Sequence, residues 1–138
     1  MHTTESLTSY SDLLGAIPAA PESRDILDPA TGEVVAAAPI HTLADLEAAV
    51  ASARLAQPEW AALGHAERSA YLLKAADAVD AAAEGLAELL SREQGKPLNG
   101  PNARFEVGAC AAWLRATASF ELEPEVLVDD NSGRAELH

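Results

Sequence analysis

The strongest nucleophile a neutral solution allows this chain is Cys110, its only cysteine. An activated thiolate needs a cation, a histidine or a helix N-terminus beside it. Cys110 lies mid-helix in Gly108-Ala109-Cys110-Ala111-Ala112, and its nearest cations, Arg104 and Arg115, fall at neither i±3 nor i±4. It is therefore expected to be a small, buried or half-buried core residue. His2, His41, His65 and His138 are scattered at no metal-ligand spacing and read as solvated or capping groups. Glu84/Glu88 and Asp77/Asp80 sit at helical spacing. Such pairs do acid–base work only when burial or a neighbouring charge moves their pKa, and nothing close in sequence supplies either. Gly95-Lys96-Pro97 is too short to cradle a phosphate, and Pro97 removes an amide such a cradle would use. No residue is assigned a catalytic or cofactor-binding role.

The composition narrows the partners. Nine Lys and Arg against 22 Asp and Glu leave a net charge of −13 over 138 residues. Nucleic acid and anionic membrane surfaces both demand clustered cations, so neither is a partner. One cysteine excludes an internal disulfide and a Cys-rich zinc site. No apolar run reaches the roughly 18 residues of a membrane span. The start, Met1-His2-Thr3-Thr4-Glu5, lacks the basic and apolar regions of a signal peptide, and the expected location is cytoplasmic. Hydrophobic residues make up 49% but aromatics only 4%, and 31 residues are alanine, so a mostly helical chain with a thin core is expected.

The elements that would position any site follow from turn and cap signals. Residues 1–23 are polar, broken by Gly15, Pro18 and Pro21, and read as a flexible N-terminal arm in which Leu13, Leu14 and Ile17 could dock one turn. Asp28-Pro29-Ala30-Thr31-Gly32-Glu33 is a turn joining two short strands over 24–40. Thr42 caps a helix carrying Leu46, Val50 and Ala53 inward, which Pro58 interrupts before a short turn from Glu59 to Gly64. A longer helix starts near His65, with Leu72, Leu73, Ala76 and Val79 as its buried stripe. A break is expected over Ala81–Gly85, then a helix with Leu86, Leu89 and Leu90 ending at Gly95. Pro101 suits the first position of the next helix, with Phe105, Gly108, Ala109, Ala112, Trp113 and Ala116 on one face. Val126–Val128 and Ala135–Leu137 flank Asp129-Asp130-Asn131-Ser132-Gly133 as a second hairpin. The fold class is α+β by local content, mostly helical with two β-hairpins. Three faces, Leu46/Val50, Leu72/Leu73/Ala76/Val79 and Phe105/Gly108/Ala112/Trp113, should converge on one core. The chain stops inside its last strand, which reads as a truncation.

The order of motifs adds a resemblance. After the Asp28–Glu33 turn come an Ala-rich helix with Trp60, Glu67-Arg68, and Glu93-Gln94-Gly95-Lys96-Pro97-Leu98. Arg104-Phe105-Glu106-Val107-Gly108, Ala112-Trp113-Leu114-Arg115 and the second hairpin complete the series. From about Ile26 to His138 the chain closely resembles the N-terminal segment of the NAD(P)-dependent aldehyde dehydrogenase superfamily. The resemblance implies an N-terminal fragment of that α/β fold. Residues 24–124 would be its hairpin and helical part, and 125–138 the truncated start of an oligomerisation hairpin. Family members are longer, and their nucleophilic cysteine, general-base glutamate and cofactor loops lie downstream of any residue here. Cys110 does not match the nucleophile's motif. NAD or NADP is implied for the full-length enzyme, with none expected to bind this chain alone. The Asn99-Gly100-Pro101-Asn102 stretch is longer than usual for the family. Many members hold a structural monovalent cation through an acidic side chain after the Gly-Lys-Pro motif; Glu106 is the nearest match, against the plainer reading of a solvated glutamate.

Three functions follow. The first is a non-catalytic scaffold portion of an enzyme oxidising an aldehyde to a carboxylic acid, partnered by the remainder of that enzyme or by homologous subunits in a homo-oligomer. The second is a stand-alone interaction module that pairs with a full-length relative. The third is a free-standing helical domain. An apolar patch at Trp60, Trp113 and Phe120 and an open strand at Ala135–Leu137 predict self-association of the isolated chain.

Overall fold

A computed structural model of the chain describes residues 7–120 and 124–137. Its element order is α1 (Tyr10–Gly15), β1 (Ser23–Leu27), β2 (Val34–Pro39), α2 (Leu43–Ala62), α3 (His65–Ala81), α4 (Ala83–Gln94), α5 (Ala103–Ser119), β3 (Glu125–Asp130) and β4 (Gly133–Leu137). The two sheets are separate antiparallel pairs, β1 with β2 and β3 with β4. Mostly helical with two hairpins is the architecture found.

The turn chemistry works as the residue types require. Between β1 and β2, Asp28 Oδ1 accepts from the Ala30 amide at 2.8 Å, the Asp28 carbonyl accepts from the Gly32 amide at 2.7 Å, and Gly32 takes φ +74°. Leu27 pairs with Val34 and Ser23 with Pro39. Between β3 and β4, Asp130 Oδ1 accepts from the Ser132 amide at 2.7 Å, and Asp130 pairs with Gly133. Thr42 caps α2 by a reciprocal box: its hydroxyl accepts from the Asp45 amide, and its own amide donates to Asp45 Oδ2 at 2.7 Å. That amide, with the Thr42 hydroxyl, holds the Asp45 carboxyl below the usual range. Gly95 ends α4 in the left-handed region, φ +67°.

The docked turn offered by Leu13 and Leu14 is a short capped helix: Ser9 and Asp12 form a full capping box on α1, which packs against α4. Two expectations about the helices are corrected. Pro58 does not interrupt α2, which runs unbroken to Ala62. Proline removes only the bond to the Arg54 carbonyl, and Arg54 is exposed, so water can take that acceptor. Pro101 lies in the turn before α5, whose N-cap is Asn102.

The three expected faces do not converge. α2 buries no residue, and Leu46 and Val50 are exposed. α2 meets α3 through Trp60, whose ring lies 5.7 Å from that of Tyr71. On α3, Leu73 is 44% exposed while Ala76 is fully buried. α5 turns Ala103, Val107, Ala111 and Ala118 inward, not Phe105, Ala112 and Trp113. Among the described residues the buried apolar set is six alanines and Val107. Small side chains let helix axes approach closely, so α3 and α4 both pack along α5 through alanine seams. Val79, Ala83, Leu86, Leu90 and Leu98 close around Ala87, Ala103 and Val107.

Candidate functional site

Three groups of side chains hold the helices in register. Arg104 on α5 clasps Glu84 on α4 with Nε to Oε1 at 3.0 Å and Nη2 to Oε2 at 2.8 Å. The Arg104 hydrogen bonds hold Glu84 below the ordinary carboxylate range and raise the pKa of Arg104 itself. Arg115 on α5 bridges Asp77 at 2.8 Å and Asp80 at 2.7 Å on α3. At the end of α5, His65 Nε2 donates to the Phe120 carbonyl at 2.9 Å and Ser69 Oγ to the Ala118 carbonyl at 2.8 Å. The expectation that the Glu84 and Asp77/Asp80 carboxylates lack charged neighbours is therefore corrected. Their cations come from a helix 20 or more residues away, which local spacing does not reveal, whereas Glu88 pairs within its own helix with Arg92 four residues on, a neighbour the spacing did offer. All three carboxylates remain exposed and each is paired, so they are struts between helices and not an acid–base pair.

Cys110 is exposed, not buried. The seam residues of α5 are Val107, Ala111 and Ala118, and Cys110 lies off that line.

The Gly95-Lys96-Pro97 loop and Glu106 meet. Lys96 Nζ forms an ion pair with Glu106 Oε1. A Cβ at Gly95 would lie 3.2 Å from the Pro29 side chain, so the loop rests on the first hairpin's turn. Its ammonium is engaged, its glycine is packed against a side chain and its proline has no amide to offer. These residues do not fit a dinucleotide phosphate.

An apolar opening lies on α5. Phe105, Gly108, Ala109, Ala112, Trp113 and Ala116 line a shallow groove of about 540 Å³. They fall at helical spacing on the side opposite Val107 and Ala111. Phe105 is 63% exposed and Trp113 69%. α5 thus has an apolar face in the core and a second, bulkier one outside it. A helix apolar on both sides is one meant to be covered on both. Trp60 and Phe120 are exposed too, as the sequence led us to expect. No described helix is long and apolar enough to cross a membrane.

Comparison with known proteins gives this architecture its place. The model of the aldehyde dehydrogenase family matches residues 17–131. A 3,6-anhydro-alpha-L-galactose dehydrogenase of Streptomyces coelicolor is 35% identical over 119 residues, covering 78% of this chain and 24% of the relative. Aldehyde dehydrogenase LUC3 of a Fusarium species is 32% identical over 124 residues, covering 89% of this chain and 26% of the relative. Among solved structures, PnpE in complex with nicotinamide adenine dinucleotide superposes with a TM-score of 0.74 at 33% identity, over 83% of this chain and 24% of that one. A putative aldehyde dehydrogenase from Burkholderia cenocepacia gives a TM-score of 0.75 at 33% identity, over 86% and 25%. The chain thus spans about a quarter of the length of these relatives. With the family model matching residues 17–131 and two solved structures superposing at 33% identity, the chain belongs to the aldehyde dehydrogenase family.

Proposed function

We propose that the chain is a scaffold portion of an aldehyde dehydrogenase, an enzyme oxidising an aldehyde to a carboxylic acid with NAD or NADP, and that it supplies no catalytic or cofactor-binding group itself. The observation that carries this reading is surface. The chain exposes 10,462 Å². A self-contained folded protein of 14.4 kDa exposes about 6,800 Å². The excess of about 3,600 Å² is several times the area one partner gives to a standard interface. Such a chain is shaped to be covered, and the length its relatives have beyond it is the covering this reading assigns.

The reaction needs a thiolate to attack the aldehyde carbon, a nicotinamide to accept hydride and a base to activate water. The chain's groups serve structure instead. Arg104 and Arg115 lock α5 to α4 and α3, His65 and Ser69 hold the end of α5, and Lys96 engages Glu106. We assign Glu106 to that ion pair and not to a cation site. In the enzyme, the second hairpin would serve contact with further subunits.

The test is to assay the purified chain for aldehyde-dependent NADH formation alone and after mixing with a separately expressed C-terminal three quarters of a relative. The chain alone should be inactive. The mixture should gain activity that Cys110→Ser leaves intact. Activity of the chain alone that disappears in Cys110→Ser would overturn the proposal, as would a C-terminal portion equally active without it.

A further inference from the structure

The Asn99-Gly100-Pro101-Asn102 turn between α4 and α5 has no part in the scaffold reading, yet it holds a self-reactive pair of residues. The side-chain amide of an asparagine is open to attack at Cγ by the backbone nitrogen of the next residue, because the two are tethered at the distance of a five-membered ring. A glycine in second place leaves that nitrogen uncrowded. In a folded chain the reaction turns on the same nitrogen: a backbone N–H that donates a hydrogen bond is held to its acceptor and not offered to Cγ. The chain has three asparagines, and their successors differ. After Asn102, the Ala103 amide donates to the Pro97 carbonyl at 3.1 Å. After Asn131, the Ser132 amide donates to Asp130 Oδ1 at 2.7 Å. After Asn99, the Gly100 amide has no partner among the described residues. Asn99 and Gly100 are both exposed, so water and hydroxide reach them.

The Asn99 side chain is also held by a cation. Arg104 Nη1 donates to Asn99 Oδ1, and the same guanidinium is fixed by its clasp on Glu84. Asn102 Nδ2 donates to the Asn99 carbonyl at 2.6 Å, and Gly100 takes φ +72°, a conformation that favours glycine. We propose that Asn99-Gly100 is a self-modification site, at which the chain deamidates through a cyclic imide and Arg104 stabilises the oxyanion that develops. Solvent hydroxide takes the Gly100 amide proton, the freed nitrogen bonds to Asn99 Cγ, and negative charge gathers on Oδ1, the atom to which Arg104 already donates. The Cγ–Nδ2 bond then breaks, and Nδ2 takes a proton from water and leaves as ammonia. Water opens the imide at one carbonyl or the other, leaving aspartate or isoaspartate at position 99. Either product adds a carboxylate beside Arg104, where it competes with Glu84 for the guanidinium. Isoaspartate also takes the carbonyl that accepts from Asn102 out of the main chain. Every reacting atom belongs to Asn99, Gly100 or water, so the step draws on neither the enzymatic reading nor a second molecule of protein.

Peptide mass spectrometry on the full chain, incubated at neutral pH, tests this by following all three asparagines in one tube. Asn99 should convert at least about tenfold faster than Asn102 or Asn131. Glycine favours Asn99 in any conformation, so the decisive quantity is the ratio of the Asn99 rate to the Asn131 rate, native against urea-unfolded. That ratio should be at least about threefold larger in the native chain, where Asp130 holds the Ser132 amide and Arg104 holds Asn99 Oδ1. Arg104→Met, checked for native helicity, should slow Asn99 at least about threefold and leave Asn131 unchanged. Asp130→Ala, which frees the Ser132 amide, should speed Asn131 and leave Asn99 unchanged. A ratio that is the same in native and unfolded chains would overturn the proposal. So would an Asn99 rate that Arg104→Met leaves equal or raises, or an Asn131 rate that Asp130→Ala does not raise.

Discussion

Gly85, the third residue of α4, is buried beneath the N-terminal segment. A Cβ there would lie 2.6 Å from the Thr8 carbonyl oxygen, 2.8 Å from the Ser9 carbonyl carbon and 2.9 Å from the Tyr10 amide nitrogen. All three are backbone atoms, so no side chain can swing away and the segment must move by about an ångström to reach ordinary contact. Two effects oppose each other in Gly85→Ala. Helix propensity favours alanine by up to about 1 kcal/mol in a helix interior, less in a first turn. Overpacking costs about 1–3 kcal/mol, paid where α1 docks and not within the α3–α5 seam. The prediction is therefore local: the population with α1 released rises roughly 5- to 150-fold, while the helical body keeps its stability. Arg92, whose guanidinium lies 4.8 Å from the Tyr10 ring centroid, loses its aromatic partner when α1 leaves. Chymotryptic cleavage after Tyr10 and Leu13 reads the released state, because cleavage follows the open population when reclosing is fast. Gly108→Ala is the control, with nothing near its Cβ, and should stabilise α5 by up to about 1 kcal/mol. Equal cleavage rates in wild type and Gly85→Ala would refute the docking of α1 on α4.

Ala76→Leu should destabilise the chain by about 1–3 kcal/mol in denaturant unfolding, because its position is fully buried; Leu73→Ala, at a 44% exposed position, should cost well under the 2–5 kcal/mol of a buried leucine. The Arg104 hydrogen bonds depress the Glu84 pKa, so their contribution is complete above the ordinary value of 4.5 and is lost as pH falls through the lower folded-state value. The thermal midpoint should therefore fall below pH 4.5, and Arg104→Met should flatten that fall; parallel curves would refute the coupling. Pro58→Ala should leave helicity in far-UV circular dichroism unchanged while stabilising α2 by up to about 3 kcal/mol, and a gain of a turn or more of helix would refute a helix continuous through that position.

What the sequence made legible was whatever rests on neighbouring residues. Thr42 with Asp45, Gly32 after Asp28-Pro29 and Gly95 at the end of α4 each complete their geometry within a few positions. Those signals correctly located both hairpins and the starts of α2 and α3. Faces were harder, because 31 alanines flatten the contrast between sides. On α5 the bulkier apolar side was expected inward, yet the smaller one is buried. Axes that approach closely exclude Phe and Trp and favour Ala103, Ala111 and Ala118. Cys110 was misplaced for the same reason, being assigned from small neighbours on a helix that has them on every side. The ion pairs of Arg104 and Arg115 were invisible because their partners lie 20 to 38 residues away.

A seam of alanines also limits how stable the chain can be by itself. Each buried CH₂ contributes about 0.8 kcal/mol, and a fully buried leucine about 1.5–3 kcal/mol. Among the described residues the buried positions hold six alanines, Val107 and Gly85, while Leu72, Leu86, Leu89 and Leu90 are only half-buried. The larger apolar side chains, Phe105, Trp113, Leu46, Leu55 and Leu127 among them, face outward and contribute little until something covers them. Most helical stability in proteins comes from packing an apolar face, and α2, which buries no residue, draws little from it. The same distribution explains why the helices are held in register by exposed ion pairs and backbone latches. Those fix geometry without adding much stability, and the reserve of stability lies on the surfaces turned away from the core.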